Sequence, residues 1–477
     1  MQQVSLSYSH RVIRKFLYLL SAQWMRDALR TIFLIYLARH NTTTYGEFML
    51  ALGMSEVLLF IAEFGLNQHL VSVLSKKESD PIEALIHVSI LKGSLLTLGW
   101  LGAWAIACWQ GYSPSLKALM FVIGAGVGLE ALASSFFVAF QVQGRQDLEG
   151  RMKMFGAGAG FGYGLSMIYF GFSAVLVAFF KLAETSVNLA GVLLLTARRT
   201  TFRFRGFRFS AFLKLGKGSI VLSLMAVAAI LYNKTNLFFL QRYAGPDAVA
   251  QYSATWEIVD GISCIASNLL LKNILFPLFV NLWDQDRSEL SRLVQDAARW
   301  LLIVSFPIMF VLMVESDRII TLIYGTGYAD AVWMQKYLTA TILIGFIHNL
   351  AAYLMISMRR EQLLLAYYVG GMVFNFILCA VIIPRAPLMG TVLSIVITKA
   401  VVAVLTVSFC QKHFGLIPLR PLLYITGAAA LSLIVYYFGH GLVQREVAAL
   451  AALAPVLALG GRWWMDRNRM IREAEKV

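Results

Sequence analysis

The stretch LARHNTTTYGEF, Leu37 to Phe48, closes one long apolar block and opens the next. A second stretch, LQRYAGPDAVAQY, Leu240 to Tyr252, does the same in the other half of the chain. Arg39 aligns with Arg242, and after one extra residue Gly46-Glu47-Phe48 aligns with Ala250-Gln251-Tyr252. The same offset brings Glu56 onto Asp260. Two copies in the same orientation are the pattern of a helical membrane protein built twice about an axis along the membrane normal.

The flanking blocks set the scale. Crossing ~30 Å of hydrocarbon takes ~20 mostly apolar residues. Working outward from the two corners gives about fourteen such segments: 15–38, 46–73, 82–109, 116–142, 152–171, 173–196, 215–240, 248–280, 297–315, 332–357, 361–383, 388–410, 421–438 and 446–463. The composition agrees. The 477 residues are 59% hydrophobic and 14% charged, against about 45–50% and about 25% in soluble domains. The expected fold is all-α and polytopic. Residues 1–196 form an N-terminal bundle of six spans and 215–410 a pseudo-symmetric C-terminal bundle of six. A basic linker, 197–214, joins them, and 411–477 adds two spans and a basic tail. The apolar start resembles a signal peptide, but Gln23, Arg26 and Asp27 interrupt it, so it reads as a retained first span.

The net charge of +15 does not point to nucleic acid, because the basic residues sit in short runs between apolar blocks. With the N-terminus in the cytoplasm, inward segments hold roughly 26 Lys and Arg and outward loops roughly 6. The outward ones are Arg39, Lys117, Arg242, Arg318, Arg385 and Arg445. This bias places both termini and the linker in the cytoplasm. Connections are short, leaving no room for an extramembrane catalytic domain.

Several motifs have ordinary readings. Gly156 to Gly164 alternates glycine with other residues, but no strand precedes it, and glycines four apart let helices approach closely. Asp284-Gln285-Asp286 reads as a solvated loop rather than a sugar-nucleotide site. Asn41-Thr42-Thr43 is a sequon of a kind frequent by chance. Cys108, Cys264, Cys379 and Cys410 lie in or beside apolar blocks without metal-ligand spacing and read as small buried hydrophobes. Nothing in the pattern calls for a cofactor or a metal.

The informative residues are charges inside spans. A charge at the bilayer centre costs ~2.5–3.5 kcal/mol even on the lenient insertion scale, so it pairs or faces a polar cavity. The first span carries Gln23, Arg26, Asp27 and Arg30 on one stripe. The second carries Glu56, Glu63 and Asn67. The sixth carries Lys181, Glu184 and Asn188. The seventh carries Asn233, Lys234 and Asn236, and the eighth Glu257, Asp260, Asn268 and Lys272. Two readings stand: ion pairs that fix packing, such as Arg26 or Arg30 with Glu56 or Glu63, or a polar cavity between the repeats. His87, Lys92, Glu130, His348 and Lys399 read as isolated, locally paired charges.

Tyr45-Gly46-Glu47-Phe48 through Phe64-Gly65-Leu66-Asn67, and Ile319 to Ala331 (IITLIYGTGYADA), resemble segments of bacterial polysaccharide flippases. These belong to the multidrug/oligosaccharidyl-lipid/polysaccharide exporter superfamily. The resemblance implies two six-helix bundles forming a V with two added helices, an inner-membrane location, and an oligosaccharide substrate carried on a polyprenyl pyrophosphate. It also implies a cationic cavity lined by spans one, two, seven and eight. Arg26, Arg30 and Lys234 match that by segment and charge, with Gln23 and Asn233 beside them. Asp27, Glu56, Glu63, Glu257 and Asp260 are about as numerous as the cations, and they read either as charge balance or as groups that couple a proton or sodium ion. A multidrug antiporter of the same superfamily is the neighbouring alternative. A membrane glycosyltransferase, polymerase or ligase is the alternative of a different class.

Overall fold

The computed structural model describes residues 2–63, 65–67, 70–71, 74, 81–197, 220–417 and 419–474. Every regular element among them is helical: α1 (Gln2–His40), α2 (Thr42–Glu63), α3 (Pro81–Trp109), α4 (Pro114–Val142), α5 (Gln146–Tyr169), α6 (Ala174–Ala197), α7 (Ile220–Ala266), α8 (Phe276–Gln285), α9 (Arg287–Val314), α10 (Ser316–Tyr324), α11 (Ala329–Leu338), α12 (Ala340–Ser357), α13 (Glu361–Ile382), α14 (Pro387–Phe414), α15 (Leu419–Gly439) and α16 (Arg445–Ala474). A π-helical segment, Ser267–Leu275, precedes α8. The basic linker expected at 197–214 lies, apart from Ala197, outside the described residues, as do Lys76 and Lys77.

Eleven stretches of the described residues are long and apolar enough to cross a membrane. One of them, Ile220–Cys264, has 45 residues and bends at Gly245, whose φ of 76° lies in the left-handed region that glycine tolerates. At 1.5 Å per residue its two arms are two crossings. α1 and α5 have the length to span but carry more charge. α1 holds Arg26, Asp27 and Arg30 in its middle, and α5 opens with Glu149, Arg151 and Lys153. The chain is therefore a multi-pass, all-helical membrane protein with about fourteen spans.

Local chemistry explains where helices start. The Asn41 side-chain oxygen accepts the Thr44 backbone N–H at 2.8 Å, capping α2. Asp286 accepts the N–H groups of Ser288 and Glu289 at 2.8 and 3.1 Å, capping α9. Asn41 of the sequon and Asp286 of the DxD are thus helix caps. The span expected at 248–280 is not one α-helix, because it widens into the π-helix before Pro277. Proline has no N–H to donate and its ring crowds the carbonyl one turn back, which disfavours an α-turn there. The span expected at 332–357 divides at Thr339 between α11 and α12. Pro307, by contrast, lies inside α9 without ending it.

The chain divides into two compact units, Met1–Ala250 and Gln251–Val477. In the first, α4 and α5 pack on α6, α1 on α5, and α2 on α3 and α4. The glycine run is a packing surface: a Cβ at Gly160 would come 2.8 Å from the Phe180 carbonyl oxygen on α6. In the second, α14 packs on α12 and α13, α9 on α12, and α15 pairs with α16, which leans on α9. Cys379 and Cys410 are buried as expected, but Cys108 and Cys264 are exposed. Cys264 turns its thiol toward Asp260 Oδ2 at 3.8 Å, so apolar sequence context did not imply burial there.

Candidate functional site

Among the described residues of the first unit, three groups gather the charges expected inside the spans, with pairs such as Arg145–Asp147 and Lys153–Glu149 lying outside them. Arg26 on α1 donates through Nη1 to Glu130 Oε1 on α4 at 2.9 Å. The other oxygen of Glu130 meets Lys181 Nζ on α6 at 2.7 Å. Lys181 also meets Glu184 at 3.0 Å, and Arg26 Nε lies 3.9 Å from Glu184. Two cations and two carboxylates thus close a neutral quartet. Its side chains are 9–20% exposed. The adjoining cavity, lined by Arg26, Arg30, Phe161 and Lys181 among others, measures about 20 Å³. That holds one water and no sugar.

The second group lies one turn along α1. Arg30 Nη2 donates to Glu56 Oε1 on α2 at 3.1 Å, and Lys234 Nζ on the first arm of α7 meets Glu56 Oε2 at 2.7 Å. Here two cations share one carboxylate. Arg30 is 36% exposed and Glu56 30%, so this triad is more open than the quartet, although Lys234 is only 14% exposed. Gly53, one turn before Glu56, makes the approach of α7 practicable. A Cβ there would stand 3.0 Å from Leu237 and 3.6 Å from the stem of Lys234.

The third group surrounds Lys92 on α3, whose side chain is fully buried. Its ammonium has three oxygen acceptors, each at 2.8 Å: Asn67 Oδ1, Ser134 Oγ and the Ala131 carbonyl. Glu63 accepts from Asn67 at 3.0 Å and from Ser134 at 3.2 Å. All three ammonium protons are directed, which is how a buried charge is retained.

In the second unit, Asp260 lies 3.7 Å from Lys399 on α14, and the Lys399 ammonium stands 4.4 Å from the Trp256 ring centroid. His348 contacts Thr406 at 3.0 Å and Tyr368 at 3.2 Å. Glu257 lies within this unit, one turn before Asp260.

The structure therefore brings together Arg30, Glu56 and Lys234 and sends the other expected residues elsewhere. Arg26 belongs to the quartet. Asp27 accepts from Gln23 at 3.0 and 3.1 Å on the exposed side of α1. Asn233 turns its amide N–H₂ into its own helix, on the Ala229 carbonyl at 2.9 Å, while its side-chain oxygen is buried without a hydrogen bond. Glu63 joins Lys92 rather than Glu56. Glu130 and Lys399, read from sequence as isolated, have cross-helix partners. Glu130 is the residue that sequence reasoning missed most, because its partners are 104 and 51 positions away in the chain. The signal that could have found it was a second surplus of opposite charge, Lys181 and Arg26, on helices of the same half.

A family model described as "Polysaccharide biosynthesis protein" matches residues 40–333. No curated protein matches the sequence. Among solved structures, the fold is similar to a lipid II flippase, MurJ, in an inward closed conformation, with a TM-score of 0.75 at 12% identity, covering 94% of this chain and 99% of that one. It is also similar to an inward-facing multidrug resistance transporter of the MATE family, with a TM-score of 0.63 at 14% identity, covering 84% and 98%. A third, a MOP superfamily transporter from Pyrococcus furiosus, aligns with a TM-score of 0.55 at 14% identity over 85% and 95%.

Proposed function

The chain belongs to the polysaccharide biosynthesis protein family, and from that premise we propose that it is a flippase. It moves a polyprenyl-pyrophosphate-linked oligosaccharide from the cytoplasmic to the periplasmic leaflet of a bacterial inner membrane, with both termini cytoplasmic. The family and the fold are those of transporters and flippases, not of catalytic enzymes.

The observation that carries this reading is the triad of Arg30, Glu56 and Lys234, two cations for one carboxylate at membrane depth. The substrate has an anionic head, a polar glycan and a greasy tail. Its head cannot cross hydrocarbon alone, and a guanidinium with a lysine ammonium is a fitting receptor for phosphoryl oxygens. No bond of the substrate need form or break. The mechanism is a change of access: the head sits on Arg30 and Lys234, the tail remains in lipid, and rocking of the repeats exposes the site to each side in turn. Arg26 acts one step removed, since the quartet fixes α1 against α4 and α6 and so holds Arg30 in register.

Glu56, with both oxygens engaged, is read as balancing charge. Of the acids read as coupling a proton or sodium ion, Asp260, 3.7 Å from Lys399, is the one we propose for that role. A multidrug antiporter shares this fold, but two cations suit an anionic substrate better than a cationic drug.

The test is reconstitution of the full chain in vesicles. A polyprenyl-pyrophosphate-linked oligosaccharide should move between leaflets, read by accessibility of its glycan to an external lectin. A polyprenol-linked glycan without phosphate should not. Equal movement of both, or of neither, would remove the proposal.

A further inference from the structure

Glu56 occupies the place where a substrate phosphate would sit. Its two oxygens are held by different cations on different helices: Oε1 by Arg30 on α1 at 3.1 Å, and Oε2 by Lys234 on α7 at 2.7 Å. Two oxygens bridging a guanidinium and an ammonium is also the arrangement of a bound phosphoryl group. Glu56 comes from a third helix, α2, so it can leave without either cation leaving its own. Glu56 is the carboxylate that both cations meet here, at 3.1 and 2.7 Å.

The quartet supplies the contrast. Glu130 also bridges two cations, but Glu184 stands beside them, the group is neutral, and Lys181 and Glu184 are 9% and 10% exposed. An incoming anion there would meet two carboxylates. At the triad it meets one, and that one is 30% exposed. Gly53 gives α2 a side-chain-free contact with Leu237 and the Lys234 stem, the surface over which a small displacement of Glu56 meets least resistance.

We propose that Glu56 is a resident anion that holds Arg30 and Lys234 together in the empty transporter and is displaced by the substrate pyrophosphate. This rests on the flippase reading above. A lipid pyrophosphate diester brings two negative charges and can replace the carboxylate with a gain in contacts. Opening the bridge costs the same whichever anion then binds, so removing Glu56 should tighten the binding of every phosphorylated lipid by a common factor.

The experiment measures binding to the full-length protein in nanodiscs. The probes are a long-chain polyprenyl pyrophosphate, the corresponding polyprenyl monophosphate and the uncharged polyprenol. Glu56→Gln should bind both phosphorylated lipids more tightly than the unmodified protein, by a similar factor of about tenfold. Polyprenol binding should not change. Unchanged or weaker binding of both phosphorylated lipids by Glu56→Gln would overturn the proposal. If Glu56→Gln does not assemble, Glu56→Asp serves, since it keeps the charge but is one methylene short of bridging both cations. It should bind pyrophosphate more tightly by a smaller factor, and equal or weaker binding would again overturn the idea. The Arg30→Gln, Lys234→Gln double variant separates the two levels. If it binds pyrophosphate as well as the unmodified protein, the site assignment itself fails. If it loses binding while Glu56→Gln behaves like the unmodified protein, only the displacement idea fails.

Discussion

Gly46 at the start of α2 lies directly against the carbonyl of Pro246, and a Cβ added at Gly46 would overlap that oxygen. Beside it the Thr43 hydroxyl donates to Asp247 at 2.7 Å. The two corners whose sequences repeat one another are therefore in contact, each supplying what the other needs: a residue without a side chain, and a backbone turned by Gly245 and Pro246.

This contact predicts that Gly46→Ala destabilises the protein by about 1–3 kcal/mol, the usual cost of overpacking. Gly93→Ala is the control, since a Cβ there meets nothing within 4 Å and alanine is the better helix former. Thermal unfolding in detergent should show a lowered midpoint for the first variant and an equal or raised one for the second. Equal behaviour of the two would remove the contact from the account.

Glu130 should matter more than any expected site residue for stability. Glu130→Gln leaves Arg26 and Lys181 sharing Glu184, with the exposed Asp27 at 3.9 Å from Arg26. Breaking a buried pair by removing one partner costs about 3–5 kcal/mol. Adding Lys181→Met to Glu130→Gln restores neutrality, because Arg26 then pairs with Glu184. The double variant should regain more than half of the lost stability in the same unfolding measurement. A double variant no better than the single one would show that Glu130 acts by something other than charge.

The span pattern and the polar stripes were legible in the sequence because hydrophobic length and helical periodicity are local properties. What was not legible is which stripe faces which. Arg26 and Arg30 are four residues apart on one helix face, yet Arg26 joins α4 and α6 while Arg30 joins α2 and α7. Glu56 and Glu63 diverge in the same way, toward α1 and α7 and toward Lys92. Periodicity gives the direction of a side chain but not the neighbour that it meets. The π-helix at Ser267–Leu275 was hidden for a different reason. Pro277 signals a disturbance, but whether the preceding turn kinks or widens depends on packing.

Arg445, at the first position of α16, grips Asp317 on α10 with two nitrogens, Nη1 at 2.8 Å and Nη2 at 2.6 Å, and meets Glu315 at 3.1 Å; Asp317 lies outside the apolar segments. Arg318 pairs with Glu446 alongside. The Asp317 carboxyl is held below the usual carboxylate range, chiefly by its hydrogen bonds from Arg445. A depressed folded-state value contributes stability that is present above the unfolded value, near pH 4, and is lost as pH falls through the folded one. Asp317→Asn should therefore be less stable than the unmodified protein at neutral pH, by at most about 1 kcal/mol after solvent screening. The gap should close below pH ~4. Arg445→Lys should not substitute, lacking the fork. A gap that persists unchanged through acid would contradict this.

The most direct test of the central claim is leaflet-to-leaflet movement of a polyprenyl-pyrophosphate-linked oligosaccharide by the Arg30→Gln, Lys234→Gln double variant in vesicles, beside Arg26→Gln. The account predicts that the double variant folds, inserts and fails to move the substrate. Arg26→Gln should lose stability first and transport only in proportion to the protein that remains folded. Normal movement by a folded Arg30→Gln, Lys234→Gln variant would contradict the assignment of the two cations as the receptor of the pyrophosphate.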